Sequence, residues 1–510
     1  MQKKQTILVV ASLLVVVLSV TLAYFTAQII GKGKNVTINS ADLKIIFTDS
    51  DGSISGTNIE PGKWNVTKTF TIENKSNETY KYNIVIQDLV NTFVTEGYLQ
   101  YKITSTNGGY NMTEFKDVPK SETATDKILA YSVSIPVGVT QSYTIEFKYA
   151  NDESVDQSDD MGKKLSGKLF ITEGTNEPVT LLSQILKDNP TIQTRTDFDT
   201  TFTETNTGTL YKATESIAGN TPKDVYYFAG DAKKNWVKFG GFYWRIIRTN
   251  HDGSIRLLYS GTSHNTTAGY IGTSAFNTTY NDPMYVGYMY GTIGSLDDNR
   301  LNTNNSTIKT YIDNWYNNNL SSYTKHISTE AVYCNDRELS PGSIYNTGNT
   351  KFYYAPNERL NTNKQPTYNC TNNKDAFSGS NNEAKLTYPI GLMTVDEIAY
   401  AGGKADTKLP SPYAWYYLNS AGESITGSTD WLLMSPQRWS DNSSRVWIVR
   451  GSDYPGRLFV SSVSTFVNGA RPAISLKTCT LWTSGNGAPE TPYEISTTIG
   501  CWWENEIPLT

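Results

Sequence analysis

The sequence predicts a multidomain chain: an N-terminal transmembrane helix within residues 1–30, an all-β antiparallel sandwich over 36–172, a linker with a short helix over 173–225, and an α+β domain over 226–510. Three observations predict it. At about 150 residues per domain, 510 residues make three units rather than one. Ile7 to Phe25 is an uncharged, apolar run. Beyond it the apolar residues first alternate with period two and later mix that period with helical spacing.

The run ILVVASLLVVVLSVTLAYF follows Lys3 and Lys4, and as a helix it measures about 28 Å, enough to span a bilayer. Its Ile, Leu, Val and Phe residues favour insertion by about 5 kcal/mol in total. Lysines before the run and the bulk of the chain after it predict a single-pass cell-membrane protein whose C-terminal bulk is extracellular. Thr21, Leu22 and Ala23 offer a small-x-small cleavage site, so cleavage near Ala23 would make the chain secreted.

From 36 to 172 the alternation is clear in Phe70 and Ile72; Tyr80, Tyr82, Ile84 and Ile86; Leu129, Tyr131, Val133 and Ile135; and Tyr143, Ile145, Phe147 and Tyr149. Polar, β-favouring residues such as Thr67, Thr69 and Thr71 lie between, and Asp51-Gly52, Pro61-Gly62 and Asn107-Gly108-Gly109 mark turns. Strands at this spacing without helices predict an antiparallel sandwich. Residues 173–225 are Thr-rich and weakly patterned, except for the helical piece Leu181 to Leu186 stopped by Asn189-Pro190. A stretch this long is expected to pack partly on the next domain as an added strand.

The second domain opens with a hairpin, FYWRIIR (242–248) and SIRLLY (254–259), turned at Asn250-His251-Asp252-Gly253. Ile308, Tyr311, Ile312, Trp315 and Leu320 share one helical face. Thr394 to Glu397 forms a capping box between Met393 and Ile398, and Gly402-Gly403 ends that helix. Strands are expected at 431–434, 445–449, 458–460 and 473–476.

Four cysteines, Cys334, Cys370, Cys479 and Cys501, all lie in the last 180 residues, outside any CxxC or Cys/His cluster, which argues against zinc and fits an exported chain. Of three connectivities the sequence-local one, Cys334 with Cys370 and Cys479 with Cys501, is expected.

Two resemblances sharpen the reading. The leader ending LAYFT, then ADLKIIF, then NIEPGKWNVTKTFTIENKSNETYKYNIVI, resembles the TasA/camelysin family of exported matrix-fibre proteins. That resemblance covers the leader and sandwich, and implies a structural role with self-association through the sandwich. The metallopeptidase activity described for some members does not carry over, since the first histidine is His251 and no HExxH occurs. From 226 to 480, PIGLMTVDEIAYAGG, SSRVWIVRG and GARPAISL resemble the C-type-lectin-like fold shared by formylglycine-generating enzymes and bacterial variable surface receptors, and a domain found in surface proteins of gut bacteria. This second resemblance implies ligand binding or adhesion.

Composition excludes further classes. Net charge is −5, only 18% of residues are charged, and no Lys/Arg cluster long enough for nucleic acid occurs. There is no GxSxG, P-loop or CxxC, and the three histidines are scattered, so no catalytic residue and no cofactor is expected. His251 reads as a turn residue. Asp49, Asp51, Ser53, Ser55, Thr57 and Glu60 match an EF-hand-like count, but Ile54 stands where glycine is needed, so an ordinary turn is expected and no metal is assigned. The calcium-lectin sugar triplets are absent.

The expected function is therefore non-enzymatic binding of an extracellular protein or glycan, with a matrix-fibre role as the alternative. Arg438, Trp439, Asp453, Tyr454 and Arg457 are the candidate ligand-binding residues, a mix of aromatic and arginine side chains in loops 437–444 and 451–457. Strand residues Trp431, Leu433, Val446, Ile448 and Ile474 are assigned to the core. Convergence of the two loops is what the receptor resemblance implies.

Overall fold

The computed structural model describes residues 35–40, 43–49, 54–55, 61–160, 162–174, 179–464 and 467–496. The expected transmembrane run, most of the 49–60 turn and Cys501 lie outside these residues. Among the described residues no helix is long and apolar enough to cross a membrane. The chain divides into two compact units, 1–178 and 179–510, and each is β-rich.

In the first unit two antiparallel sheets share one core. The six-stranded sheet runs in the order β1 (Asn35–Ser40), β2 (Leu43–Asp49), β4 (Asn65–Asn74), β9 (Thr140–Tyr149), β6 (Leu99–Ser105) and β7 (Lys116–Asp117). The four-stranded sheet runs β3 (Ile54–Ser55), β10 (Leu165–Glu173), β5 (Tyr80–Asn91) and β8 (Ser121–Ile135). Period-two alternation sends Phe70, Ile72, Ile103, Tyr143, Ile145 and Phe147 inward from one sheet and Tyr82, Ile84, Leu169 and Ile171 from the other. Phe70 stacks on Tyr143, with centroids 4.7 Å apart, a contact worth about 0.5–1.5 kcal/mol beyond area burial. The outward threonines, among them Thr69 opposite Thr144, leave that face polar. These features fit the expected β-sandwich.

The second unit begins at Val179, so most of the segment read as a linker belongs to it. The helix α1 (Leu181–Asp188) is capped by Thr180, whose hydroxyl accepts from Ser183 N, and it buries Leu181 and Ile185 in the main core. The added strand is β11 (Thr209–Glu215), which pairs with β12 (Lys223–Tyr227). A ten-stranded sheet continues through β13 (Trp236–Phe239), β14 (Phe242–Thr249) and β15 (Ile255–Tyr259). The turn after β14 places Gly253 at φ +79°, a region costly to any residue with a Cβ.

Beyond it lie α2 (Thr307–Asn319), on whose inner face Ile308, Ile312 and Tyr316 are buried, and the short strand β16 (Phe352–Tyr353). The helix α3 (Val395–Ala401) carries the complete capping box, with Thr394 Oγ1 accepting from Glu397 N and Glu397 accepting from Thr394 N. A second sheet contains β17 (Trp431–Ser440), β18 (Ser443–Val449) and β19 (Leu458–Ser462), with β16 paired to β17. Last, β20 (Pro472–Leu476) pairs with β15 and extends the ten-stranded sheet. Trp431, Leu433, Val446, Ile448 and Ile474 are all buried, as their strand positions require.

Cys334 and Cys370 form a disulfide. Cys479 is buried, and its expected partner Cys501 lies outside the described residues.

Candidate functional site

Three sequence-selected residues occupy the connection between β18 and β19. The loop is held by its own backbone: Tyr454 N donates to Gly451 O, Arg457 N to Tyr454 O, and Arg450 N to Arg457 O. On that frame the Tyr454 ring, 37% exposed, is surrounded by cations. Lys408 Nζ lies 4.5 Å from its centroid, Arg450 Cζ 4.6 Å and Arg457 Cζ 5.8 Å. Each such contact stabilises by about 0.5–1 kcal/mol at an exposed site. Carboxylates fix the two guanidinium groups: Arg457 Nη2 meets Asp406 Oδ1 at 2.9 Å and Arg450 Nε meets Asp430 Oδ2 at 2.8 Å. Burial pushes the Asp430 carboxyl above its ordinary pKa, against the opposing pull of Gly451 N and Arg450. Asp453 is exposed on the same loop.

The other two candidates sit elsewhere. Trp439 is 0% exposed and its Nε1 donates to Gly348 O at 2.6 Å, so it is a core side chain of β17 and not a loop residue available to a ligand. The stretch 437–444 reads as a loop, yet its first residues to Ser440 belong to β17, where Arg438 and Trp439 pair on both sides, with β16 and β18, and Trp439 turns inward. Arg438 also lies in β17, half-buried, with Nε donating to Ser440 Oγ at 3.1 Å. Burial, and then the neighbouring Arg445 guanidinium, lower its pKa from the ordinary value. The expected meeting of the two loops does not occur at the backbone: Trp439 pairs with Ser444 near one end of β18, and Arg450 follows the other end, roughly 20 Å along a seven-residue strand. Electrostatics still link them, since Asp406, the partner of Arg457, acts on Arg438 as well.

A cleft of about 590 Å³ opens in another part of the unit, lined among others by Glu215, Lys223, His251, Asp252 and Glu330. These residues come from distant stretches, so no local pattern announced it. His251, read as a turn residue, does sit in that turn, where its N–H donates to Glu215 Oε2. Behind the cleft, Glu215 Oε1 accepts from Arg248 Nη2 at 2.8 Å, and Glu397 Oε1 accepts from Arg248 Nε at 3.0 Å and Arg256 Nη1 at 2.8 Å. Burial alone would raise the Glu397 pKa; Arg256 and Arg248 outweigh it and hold the carboxyl below its ordinary value. The disulfide adjoins this network: Cys334 and Cys370 line the same small cavity as Arg248, Arg256 and Glu397. Among the described residues no group of three or more His, Cys, Asp or Glu is placed to hold a metal ion.

No family model matches the chain, and no curated protein matches it. One solved structure that it resembles is described as "AvmM Catalyzes Macrocyclization in Alchivemycin A Biosynthesis". The identity is 8%, the match covers 29% of this chain and 100% of that one, and the TM-score is 0.15, a likeness too slight to carry any argument.

Proposed function

We propose that the protein is a non-enzymatic surface protein that binds an extracellular protein or glycan through its second unit, in adhesion or ligand capture. In this reading residues 7–25 anchor the chain in the cell membrane, or direct its secretion if cleaved near Ala23, the first unit is a TasA-like sandwich, and the second is C-type-lectin-like. The observation that supports it most is the Tyr454 cluster: an exposed aromatic ring with guanidinium and ammonium groups around it, on a loop whose backbone bonds already fix its shape. Exposed aromatic and arginine side chains on a preorganised frame are what recognition surfaces use. A combined glycan and protein array probed with the chain from residue 35 onward tests it. Binding that disappears in Tyr454→Ala supports the reading; no binding to any probe, or binding indifferent to Tyr454, overturns the site.

A second reading, a matrix-fibre or envelope subunit, is favoured by one feature. The 15-residue β8 has, among the described residues, a partner on one side only, β5. A long open edge is a template for pairing with another copy. A fibre subunit sediments as a growing polymer without added ligand, and a receptor does not.

A further inference from the structure

We propose that Arg438 and Arg445 together form an anion-binding centre on the second unit, and that its ligand is an acidic polysaccharide bearing carboxylate or sulfate groups. The proposal deepens the ligand-binding reading above and rests on it.

The two arginines face each other directly across β17 and β18. Like charges at directly opposed sheet positions repel and weaken the sheet. No ion pair relieves the repulsion: among the described residues neither guanidinium has a carboxylate within 4 Å, although most arginines of this unit do. Asp441 and Asp406 act on Arg438 only from farther away. Arg445 Nε is enclosed and has no hydrogen-bond partner, whereas the Nε of Arg438 has only a serine hydroxyl. Donors left in this state are costly unless something else fills them.

A backbone irregularity creates the juxtaposition. Pro436 pairs with Val446 and Arg438 with Arg445, so two steps along β17 match one step along β18. This bulge at Gln437 turns Arg438 to the Arg445 face; in regular pairing it would share the face of Pro436 and the buried Val446. Bulges that re-aim a side chain are common beside binding sites.

The same rung continues on the other side of Arg438 to Tyr353, whose ring carries Lys351 Nζ 4.7 Å from its centroid. A row of Tyr353, Arg438 and Arg445, with Lys351 beside it, thus crosses three strands. Two planar guanidinium forks match carboxylate or sulfate oxygens in bidentate fashion. The row crosses the strands, so an extended peptide that adds at a sheet edge would run past it with its main chain paired elsewhere. A sugar chain laid over the face, needing side-chain donors and an adjacent aromatic, fits the row better.

The test uses the full chain in mild detergent, with polygalacturonate, dextran sulfate, uncharged dextran and poly-glutamate as probes at two salt concentrations. The expected result is salt-sensitive binding of polygalacturonate or dextran sulfate and none of dextran. Arg438→Gln and Arg445→Gln should each weaken it by about tenfold or more, the loss of a charge-assisted hydrogen bond. The unfolding temperature of Arg445→Gln should equal or exceed that of the native chain, because a repulsive pair has been removed. If Arg445→Gln nevertheless unfolds early, Arg445→Lys decides: it keeps the charge and loses the fork, and weaker binding by a stably folded Lys variant supports the centre. Failure of both polyanions, or a change below about twofold in both Gln variants, overturns the proposal, and binding of poly-glutamate alone reassigns the ligand to acidic peptides and overturns it too. If the polyanions fail while an array ligand still binds through Tyr454, this proposal falls and the ligand-binding reading stands; if no array ligand binds either, the ligand-binding reading falls with it.

Discussion

Arg248 and Glu397, 149 residues apart in the chain, meet with Arg248 Nε donating to Glu397 Oε1 at 3.0 Å, and both side chains are nearly sealed from water at 3% and 1% exposure. Glu397 does two jobs: it completes the α3 capping box at Thr394 N and receives Arg248 and Arg256. One carboxylate thereby ties the start of a helix to two adjacent strands. Desolvating such charges is expensive, and the cost is tolerable here because the donors and acceptors of the cluster converge at bonding distance. The network backs the 590 Å³ cleft through Glu215.

Glu397→Gln leaves two buried guanidinium groups without their shared anion, and the second unit should lose about 3–5 kcal/mol of stability. The pH dependence has a definite sign. The Glu397 pKa is held below its ordinary 4.5 in the folded state, so its contribution is fully present above pH 4.5 and disappears as pH falls through that value toward the folded one. Denaturant titrations of native chain and Glu397→Gln should differ most near neutrality and converge in acid. A difference that stays constant from pH 7 to pH 3 would contradict the assignment.

Reducing Cys334 to Cys370, which closes a separation of 36 residues, should destabilise the second unit by roughly 3–4 kcal/mol in the chain-entropy account. Guanidinium unfolding with and without reductant measures it. Non-reducing peptide mapping should also return Cys479 joined to Cys501; a Cys334 peptide linked to either of those would refute the pairing.

If residues 7–25 direct export, protease added to intact cells should remove everything after about residue 30. Survival of the 226–510 region in intact cells, with digestion only after lysis, would place the bulk on the other side of the membrane.

Much of the fold was legible where one local rule governs. The alternation in Tyr82, Ile84, Tyr143 and Ile145 is dictated by a two-sheet core, and Thr394 with Glu397 announces a helix start because the capping box is chemistry within four residues. The site was less legible, since its parts depend on register. Nothing near Arg438 reveals that a bulge at Gln437 opposes it to Arg445, and Glu215 and Glu330 become neighbours of one cleft only after the whole unit folds. Tyr454 and Arg457 stay accessible because a short loop between two strands keeps its polar and aromatic residues at the surface, whichever way the strands pair.

Trp439 and Tyr454 differ in burial, and that difference separates packing from the proposed recognition. Both are aromatic, both follow polar residues, and composition alone gives them the same role. Burial does not: Trp439 is enclosed and its indole N–H is satisfied by Gly348 O, while Tyr454 shows over a third of its surface and rests on charged side chains. Trp439→Ala should therefore cost about 3–5 kcal/mol, as large core truncations do, with any loss of binding following from unfolding. Tyr454→Ala removes only exposed cation contacts and should shift the melting temperature by no more than a few degrees, while binding of an array ligand should be lost. Thermal unfolding and binding measured on the same two variants check both halves. A Tyr454→Ala chain that melts as early as Trp439→Ala would show that the 451–457 loop is part of the core, and the recognition site would have to be sought in the cleft instead.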